Sequence, residues 1–351
     1  PVQASPEPQK TLAPPEVVGY DPTIQKYEVV LDMEGVGRWV DAIRKAGVCV
    51  IDTETDGLDP HGSRLAGISL SAAANTACYL PRWGPVDEAG KPWLADRGQP
   101  AGIGAILPEG EVRALLKPLL EDPAIRLVGQ NIKFDYQMLK AWGVTMANPW
   151  FDTMIAAWLV DTTTNMYTMD DLARVLLNYR TIHIADLFAD TGSLAPLTVM
   201  AGGTAMPAKA AVPGMASELD FGFDFGEAPK PAVQSATATE VPAEDTADGD
   251  ESAAEAKPGR GKTKLKPEEM LFSRIPLMKG GIYSAEDADI TWRLWQALEP
   301  RLTAVGGDKL FREVEMPLVV LLAEMEFQGM VLKPGALQSF SAELAGRLAI
   351  Y

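Results

Sequence analysis

The stretch VCVIDTETDGLD, residues 48–59, decides the fold. Its first four residues form a continuous apolar run with β-branched side chains, the pattern of a central strand covered on both faces. Asp52, Thr53 and Glu54 follow directly. On a strand, residues i and i+2 point to one face, so the two carboxylates meet at the C-terminal end of a buried strand. Paired like charges there are costly unless a cation neutralises them. A lone D-x-E is also a common chance product of a solvated turn; its position after a core strand is what makes a metal site an equal contender.

Outward from that strand, 27–31 reads as a short strand and 35–46 as a helix. Residues 65–72 and 76–80 read as two strands of an antiparallel meander turning near Asn75. Residues 82–107, rich in Gly, Pro and Trp, read as a long loop. Helices are expected over 109–120, 132–142, 152–160 and 169–177, with a strand over 126–129. After a change in composition, helical patterns return over 284–298 and 311–328. This alternation gives an α/β domain with a mixed central sheet flanked by helices.

The composition shift falls at 193–270, a stretch dominated by Ala, Gly, Pro, Ser, Thr and charge. Residues 240–255 hold seven acidic and no basic side chains, while 257–266 hold five basic and no acidic ones. Such a segment buries too little apolar surface to offset its ordering entropy and is expected to be disordered. Within it, ELDFGFDFGE (218–227) reads either as a patch that docks on its own domain or as a short motif for a partner. The organisation expected is a flexible leader (1–23), a first domain part (24–192), the insert (193–270), a second domain part (271–305) and a further helical segment (306–351).

The chain has 351 residues and a formal charge of 31 − 48 = −17. An acidic balance argues against gripping a polyanion through a broad basic surface. No run approaches the roughly 18 apolar residues that cross a bilayer, and residues 1–8 lack a signal-peptide pattern. Two cysteines, Cys49 and Cys78, make neither a disulfide framework nor a thiolate zinc site, so a reduced, cytoplasmic setting and no membrane are expected. The chain lacks an initiator Met and ends within a helical pattern, so a fragment is expected.

Two further constellations carry chemistry. Asn131 and Asp135, in GQNIKFDYQML, are four apart at the start of a helix and can face one cleft. Asn131 is equally a natural N-cap. Tyr283 and Asp287, in YSAEDAD, place a phenol beside a carboxylate at the head of a later helix, where Asp287 could simply answer the helix dipole. His61 and His183 read as loop residues. Trp142, Trp150 and Trp158 read as core or interface side chains, and Cys49 as an inert core thiol.

Taken in order, D-x-E after a strand, N-x-x-x-D on a helix and Y-x-x-x-D on a last helix resemble the motifs of the DEDD exonuclease superfamily, tyrosine subclass. VIDTETDGLD, LVGQNIKFDYQML, FDTMIAAWLV, MDDLA and YSAEDADIT are similar to the 3′→5′ exonuclease domain of bacterial family A DNA polymerases. EMPLVVLLAEMEFQGM, from Glu315, resembles the opening of that family's polymerase domain, whose chemistry would lie beyond Tyr351. The resemblance implies an RNase H-like fold and hydrolysis with two divalent ions, Mg²⁺ or Mn²⁺. It implies that Asp52, Glu54 and Asp287 hold one ion, Asp52 bridging to a second that Asp135 supports through water. Tyr283 would orient the attacking water. Thr53, Leu58, Asn131 and Ile184 would contact a frayed, single-stranded 3′ end of DNA, with the rest of the polymerase chain as the other partner. A catalytically silent structural module and a 3′→5′ exoribonuclease are the competing readings.

Two departures stand out. The family often has Phe where this chain has Ile184, and an aliphatic forgoes base stacking of about 1–3 kcal/mol. The insert is longer than the family's usual connection, which a surface loop tolerates at low entropic cost. It carries 7 − 13 = −6 of the net charge, and the four proposed ligands −4. The remaining −7 is no basic groove, so weak, local capture of a 3′ end is expected.

Overall fold

A computed structural model describes residues 17–94, 99–189 and 271–348. A six-stranded sheet runs in the order β1-β4-β3-β2-β7-β8. Its strands are β1 (Lys26–Val29), β2 (Val48–Thr55), β3 (Leu65–Ala73), β4 (Thr76–Pro81), β7 (Arg126–Gly129) and β8 (Pro149–Asp152). β2, β3 and β4 form the antiparallel meander, turning at Asn75 with φ 59°. β1 pairs parallel to β4, β7 parallel to β2, and β8 parallel to β7. This mixed order is the RNase H-like arrangement the motifs imply.

The apolar run behaves as its pattern predicts: Cys49, Val50 and Ile51 are fully buried in the middle of the sheet. β2 does not stop there, however. It continues through Asp52, Thr53 and Glu54, and its pairing with β3 slips only between Glu54 and Thr55. The carboxylates thus sit inside the ladder, where backbone hydrogen bonds fix their direction.

Helices α1 (Met33–Ala46) and α2 (Glu109–Leu120) pack side by side, α1 also against β2 and β3. Helices α3 (Ile132–Ala141), α4 (Thr153–Val160), α5 (Met169–Leu177) and α6 (Ile184–Ala189) follow. The 28-residue α7 (Leu277–Ala304) lies across β1 to β4. It begins well before the expected residue 284, because Gly280 and Gly281 do not break it. A Cβ on Gly281 would overlap the Val29 side chain of β1, so the glycine is there for close approach. Tyr283 and Asp287 are therefore within the helix body rather than at its head, and dipole compensation does not explain Asp287.

The loop expected over 82–107 is instead a hairpin of β5 (Trp83–Val86) and β6 (Gly102–Ala105). Its glycines hide the strand pattern, yet Gly84 lies where a Cβ would overlap Leu277 of α7. The short elements β8 and α6 also escape periodicity. Residues 17–23 run beside α5: Val18 N–H donates to Asn178 O (3.2 Å), and Arg180 N–H to Val18 O (2.8 Å). The expected disorder of 193–270, the 218–227 motif and the leader up to residue 16 lie outside the described residues.

The segment expected as one helix over 311–328 opens with α8 (Asp308–Leu310) and a π-helical turn at Phe311–Glu315, then runs on as α9 (Met316–Gln328). α9 packs on α3 through polar pairs: Tyr136 Oη donates to Glu324 (2.6 Å), and Lys133 to Glu326 (2.7 Å). Gln137 also reaches Glu326 (2.8 Å), and His61 Nε2–H donates to Phe327 O (2.8 Å). α10 (Pro334–Leu348) ends the described chain. No described helix is long and apolar enough to cross a membrane.

Candidate active site

Two elements converge on one cluster of acids. β2 supplies Asp52 and Glu54, and α7 supplies Asp287. One ligand oxygen from each lies within 4.8 Å of the other two. Glu54 and Asp287 are buried and Asp52 is half-buried. Glu54 accepts a hydrogen bond from Ser284 Oγ at 2.8 Å, one residue along from Tyr283 on α7. Ser69 of β3 stands 3.5 Å from Asp52, a weak contact. The Tyr283 phenol stands beside the Asp287 carboxylate, and its ring leans on Phe272, centroids 6.1 Å apart.

Asp135 joins through Thr53. The Thr53 hydroxyl donates to Asp135 Oδ1 at 2.6 Å, with both side chains buried. Thr53 thus points away from the Asp52–Glu54 face, as strand alternation demands, and spends its hydroxyl on a carboxylate. Asn131 does not cap α3 with its side chain: it takes a left-handed conformation (φ 57°) and is exposed. The cap comes from Asp152, at the end of β8, which accepts from Asn131 N (3.2 Å) and Ile132 N (2.8 Å). Asp152 also accepts from Met154 N (2.9 Å) and Ile155 N (3.3 Å), so one carboxylate starts both α3 and α4.

Leu58 and Ile184 stand outside the cluster, 84% and 39% exposed. His61 and His183 are exposed loop residues, as expected. Trp142 is buried and Trp150 partly so, but Trp158 is 45% exposed and not a core side chain. Burial holds the Cys49 thiol protonated, consistent with an inert residue. Ser284, Ser69 and Asp152 carried no sequence signal of their own, although Ser284 and Asp152 lie inside quoted motifs.

The electrostatics follow from burial without countercharge. Desolvation raises Asp52 to about 6 against the bond from Ser69. Glu54, Asp135 and Asp287 are pushed well above the carboxylate range by desolvation first and by the charge of Asp52 next. Tyr283 is raised by burial and then by Asp287, so its phenol keeps its proton. Among the described residues none of these four acids forms an ion pair with Lys, Arg or His. A compact set of hard carboxylate oxygens without a protein cation is suited to a divalent ion of the Mg²⁺ or Mn²⁺ type.

The sequence relationships agree with the geometry. A family model described as 3′-5′ exonuclease, of the family A DNA polymerase type, matches residues 27–202. The chain belongs to this 3′–5′ exonuclease family. Curated relatives include DNA polymerase I of Rhizobium leguminosarum, 28% identical over 91% of this chain and 24% of the relative. DNA polymerase I of Pseudomonas aeruginosa is 26% identical over 92% and 26% respectively. The chain therefore spans about a quarter of the length of the curated relatives it matches. Among solved structures, the POL domain of Pol1 from M. smegmatis with DNA primer-template and dNTP shares 15% identity, over 92% of this chain and 35% of that one, at a TM-score of 0.49. Brucella melitensis NrnC with bound Mg²⁺ shares 17%, over 87% of this chain and 94% of that one, at 0.43.

Proposed function

We propose that this chain removes nucleotides from the 3′ end of DNA by phosphodiester hydrolysis and serves as the proofreading part of a DNA polymerase I. The observation that carries this reading is the cluster of Asp52, Glu54 and Asp287, assembled from two sequence-distant motifs on β2 and α7. In this reading Asp52, Glu54 and Asp287 would hold a divalent ion, and Asp135, oriented by Thr53, would help to hold a second. Two such ions supply the positive charge that favours a hydroxide-like nucleophile and a developing 3′-oxyanion in an in-line displacement. Tyr283 keeps its proton, so it orients the attacking water by hydrogen bonding and does not act as the base. Water adds to phosphorus as the P–O3′ bond breaks. The products are a nucleoside 5′-monophosphate and a strand shortened by one nucleotide with a free 3′-hydroxyl. Asn131, exposed one helical turn before Asp135, and Leu58, exposed on the loop after β2, are available to the terminal nucleotide. Ile184 is available to a base further along the strand.

The test is labelled single-stranded DNA with Mg²⁺ or Mn²⁺, comparing this protein with an Asp52→Ala/Glu54→Ala variant. Stepwise shortening from the 3′ end that disappears in the variant is expected. Shortening that persists in the variant refutes the ligand assignment, and no shortening in either favours a silent structural module. A matched RNA arm decides between DNA and RNA as substrate.

A further inference from the structure

A second feature lies on the same edge of the molecule. A cavity of about 360 Å³ opens between the loop following β2 and the 3₁₀ turn at Phe272–Arg274 that precedes α7. Asp56, Ser63, Arg64 and Arg274 supply its polar lining. The Asp56 charge is committed to the turn: its oxygens accept from Ser273 N (2.8 Å) and Ser273 Oγ (2.7 Å). Arg64 is held in place from two sides, with Asp56 at 3.6 Å and its guanidinium over the Trp83 ring at 4.6 Å. Those contacts use few of its five N–H donors.

Arg274 is different. Among the described residues its guanidinium forms no ion pair, and its Nε is shut off from solvent with no hydrogen-bond partner. A buried donor on a permanent cation calls for an acceptor, and a planar fork of donors suits a phosphate. With two arginines against one committed carboxylate, the cavity is locally cationic on an acidic chain. Its position is informative as well. Asp56 lies two residues beyond Glu54, about 7 Å along an extended chain. On the other side, Phe272 of the same turn touches the ring of Tyr283.

We propose that Arg64 and Arg274 form a phosphate-binding site that holds a backbone phosphodiester of the single strand whose 3′ end is presented to the carboxylates. Arg274 is the primary contact and Arg64 the pre-oriented second one. The inference rests on the exonuclease reading for its ligand. Sequence-independent capture through one or two phosphates reconciles a substrate of high charge with a protein of net −17.

The experiment measures binding of a 5′-fluorescein single-stranded DNA by anisotropy across a salt series. It uses Ca²⁺ and the full chain, as the original protein, Arg274→Gln and Arg274→Lys, with thermal melting to show each variant is folded. Arg274→Gln should weaken binding and lower the log–log salt slope by about 0.7, the value for one single-strand phosphate. Arg274→Lys should restore the slope. In the cleavage assay the loss should fall on KM rather than on kcat. An Arg274→Gln protein with the original affinity and slope overturns the site. Competition with dTMP separates two phosphate sources: if the variant loses dTMP while its strand slope is unchanged, the pocket serves the released monophosphate and the strand assignment fails. Original protein that binds the strand without cutting it, with the variant binding less, refutes the exonuclease reading and leaves the phosphate site standing. Cutting with the KM and slope unaltered in the variant does the reverse.

Discussion

Thr53→Val isolates one bond. The two side chains have nearly the same shape, and the change removes only the hydroxyl that donates to Asp135 Oδ1 at 2.6 Å. Both groups are buried, at 6% and 2% exposure, so water is poorly placed to substitute. A hydrogen bond to a charged acceptor contributes about 1.5–3 kcal/mol. If that energy holds Asp135 ionised and aimed, its loss lowers kcat about 10- to 150-fold at 1.36 kcal/mol per decade. The sign with pH follows. The bond favours the carboxylate, so removing it raises the Asp135 pKa further and moves the acid limb of the pH–rate profile to higher pH. The assay is kcat on single-stranded DNA against pH at saturating Mn²⁺, with Thr53→Ser as the control that keeps the hydroxyl. A valine variant within about threefold of the original at every pH would show that Thr53 does not govern Asp135, since threefold is under half of one such bond.

Three further outcomes are expected. Asp52 is raised from 3.8 to about 6 without a cation, so its protonation stabilises the metal-free fold below that window and is lost as pH rises through 6; melting in EDTA should fall from pH 5 to 8, and Mn²⁺ should raise Tm more at pH 8 than at pH 5. Asp152→Ala strips acceptors from four helix-starting amides, costing about 2–4 kcal/mol by urea unfolding with an unchanged slope, and it should reduce exonuclease activity by loosening the α3 that carries Asp135. Gly281→Ala gains about 1 kcal/mol of helix propensity but forces α7 off Val29 at an overpacking cost of about 1–3 kcal/mol, so a lower Tm and weaker metal binding are expected together.

The part of the fold that rests on strong periodicity was legible: β2, the meander, α2, β7 and α5 all fall where apolar patterns put them. The hairpin of β5 and β6 was not, because Gly84 and Gly104 read as loop residues while serving close packing. The first turns of α7 were missed for the same reason at Gly280 and Gly281. The carboxylates were legible because acids beside core strands and helices stand out against apolar neighbours. Their supporting partners were not. Ser284, Thr53 and Asp152 act through contacts spanning 230, 82 and 20–21 residues of sequence, which no local pattern encodes. Arg274 was invisible for a further reason: an arginine whose Nε is buried without an acceptor among the described residues looks in sequence like any other surface cation.

The acids of α7 have a consequence for how the chain finds its register. Glu286, Asp287 and Asp289 lie within four residues, and each is already assigned. Glu286 accepts from Tyr179 Oη at 2.7 Å and Ile182 N at 2.6 Å, Asp287 faces the cluster, and Asp289 accepts from Tyr27 Oη at 2.8 Å and from Asn75 N. Successive helix positions are turned by about 100°, so a slip of one residue would leave two of the three receivers facing an apolar side chain, Ala285 and Ala288 in one direction or Ala288 and Ile290 in the other. Glu286 and Asp289 would then lose their donors at the same moment as Asp287 left the cluster. The helix works as a key with three teeth: correct seating on β1 and α5 reads out the position of Asp287, and the active site inherits its accuracy from bonds that never touch the substrate.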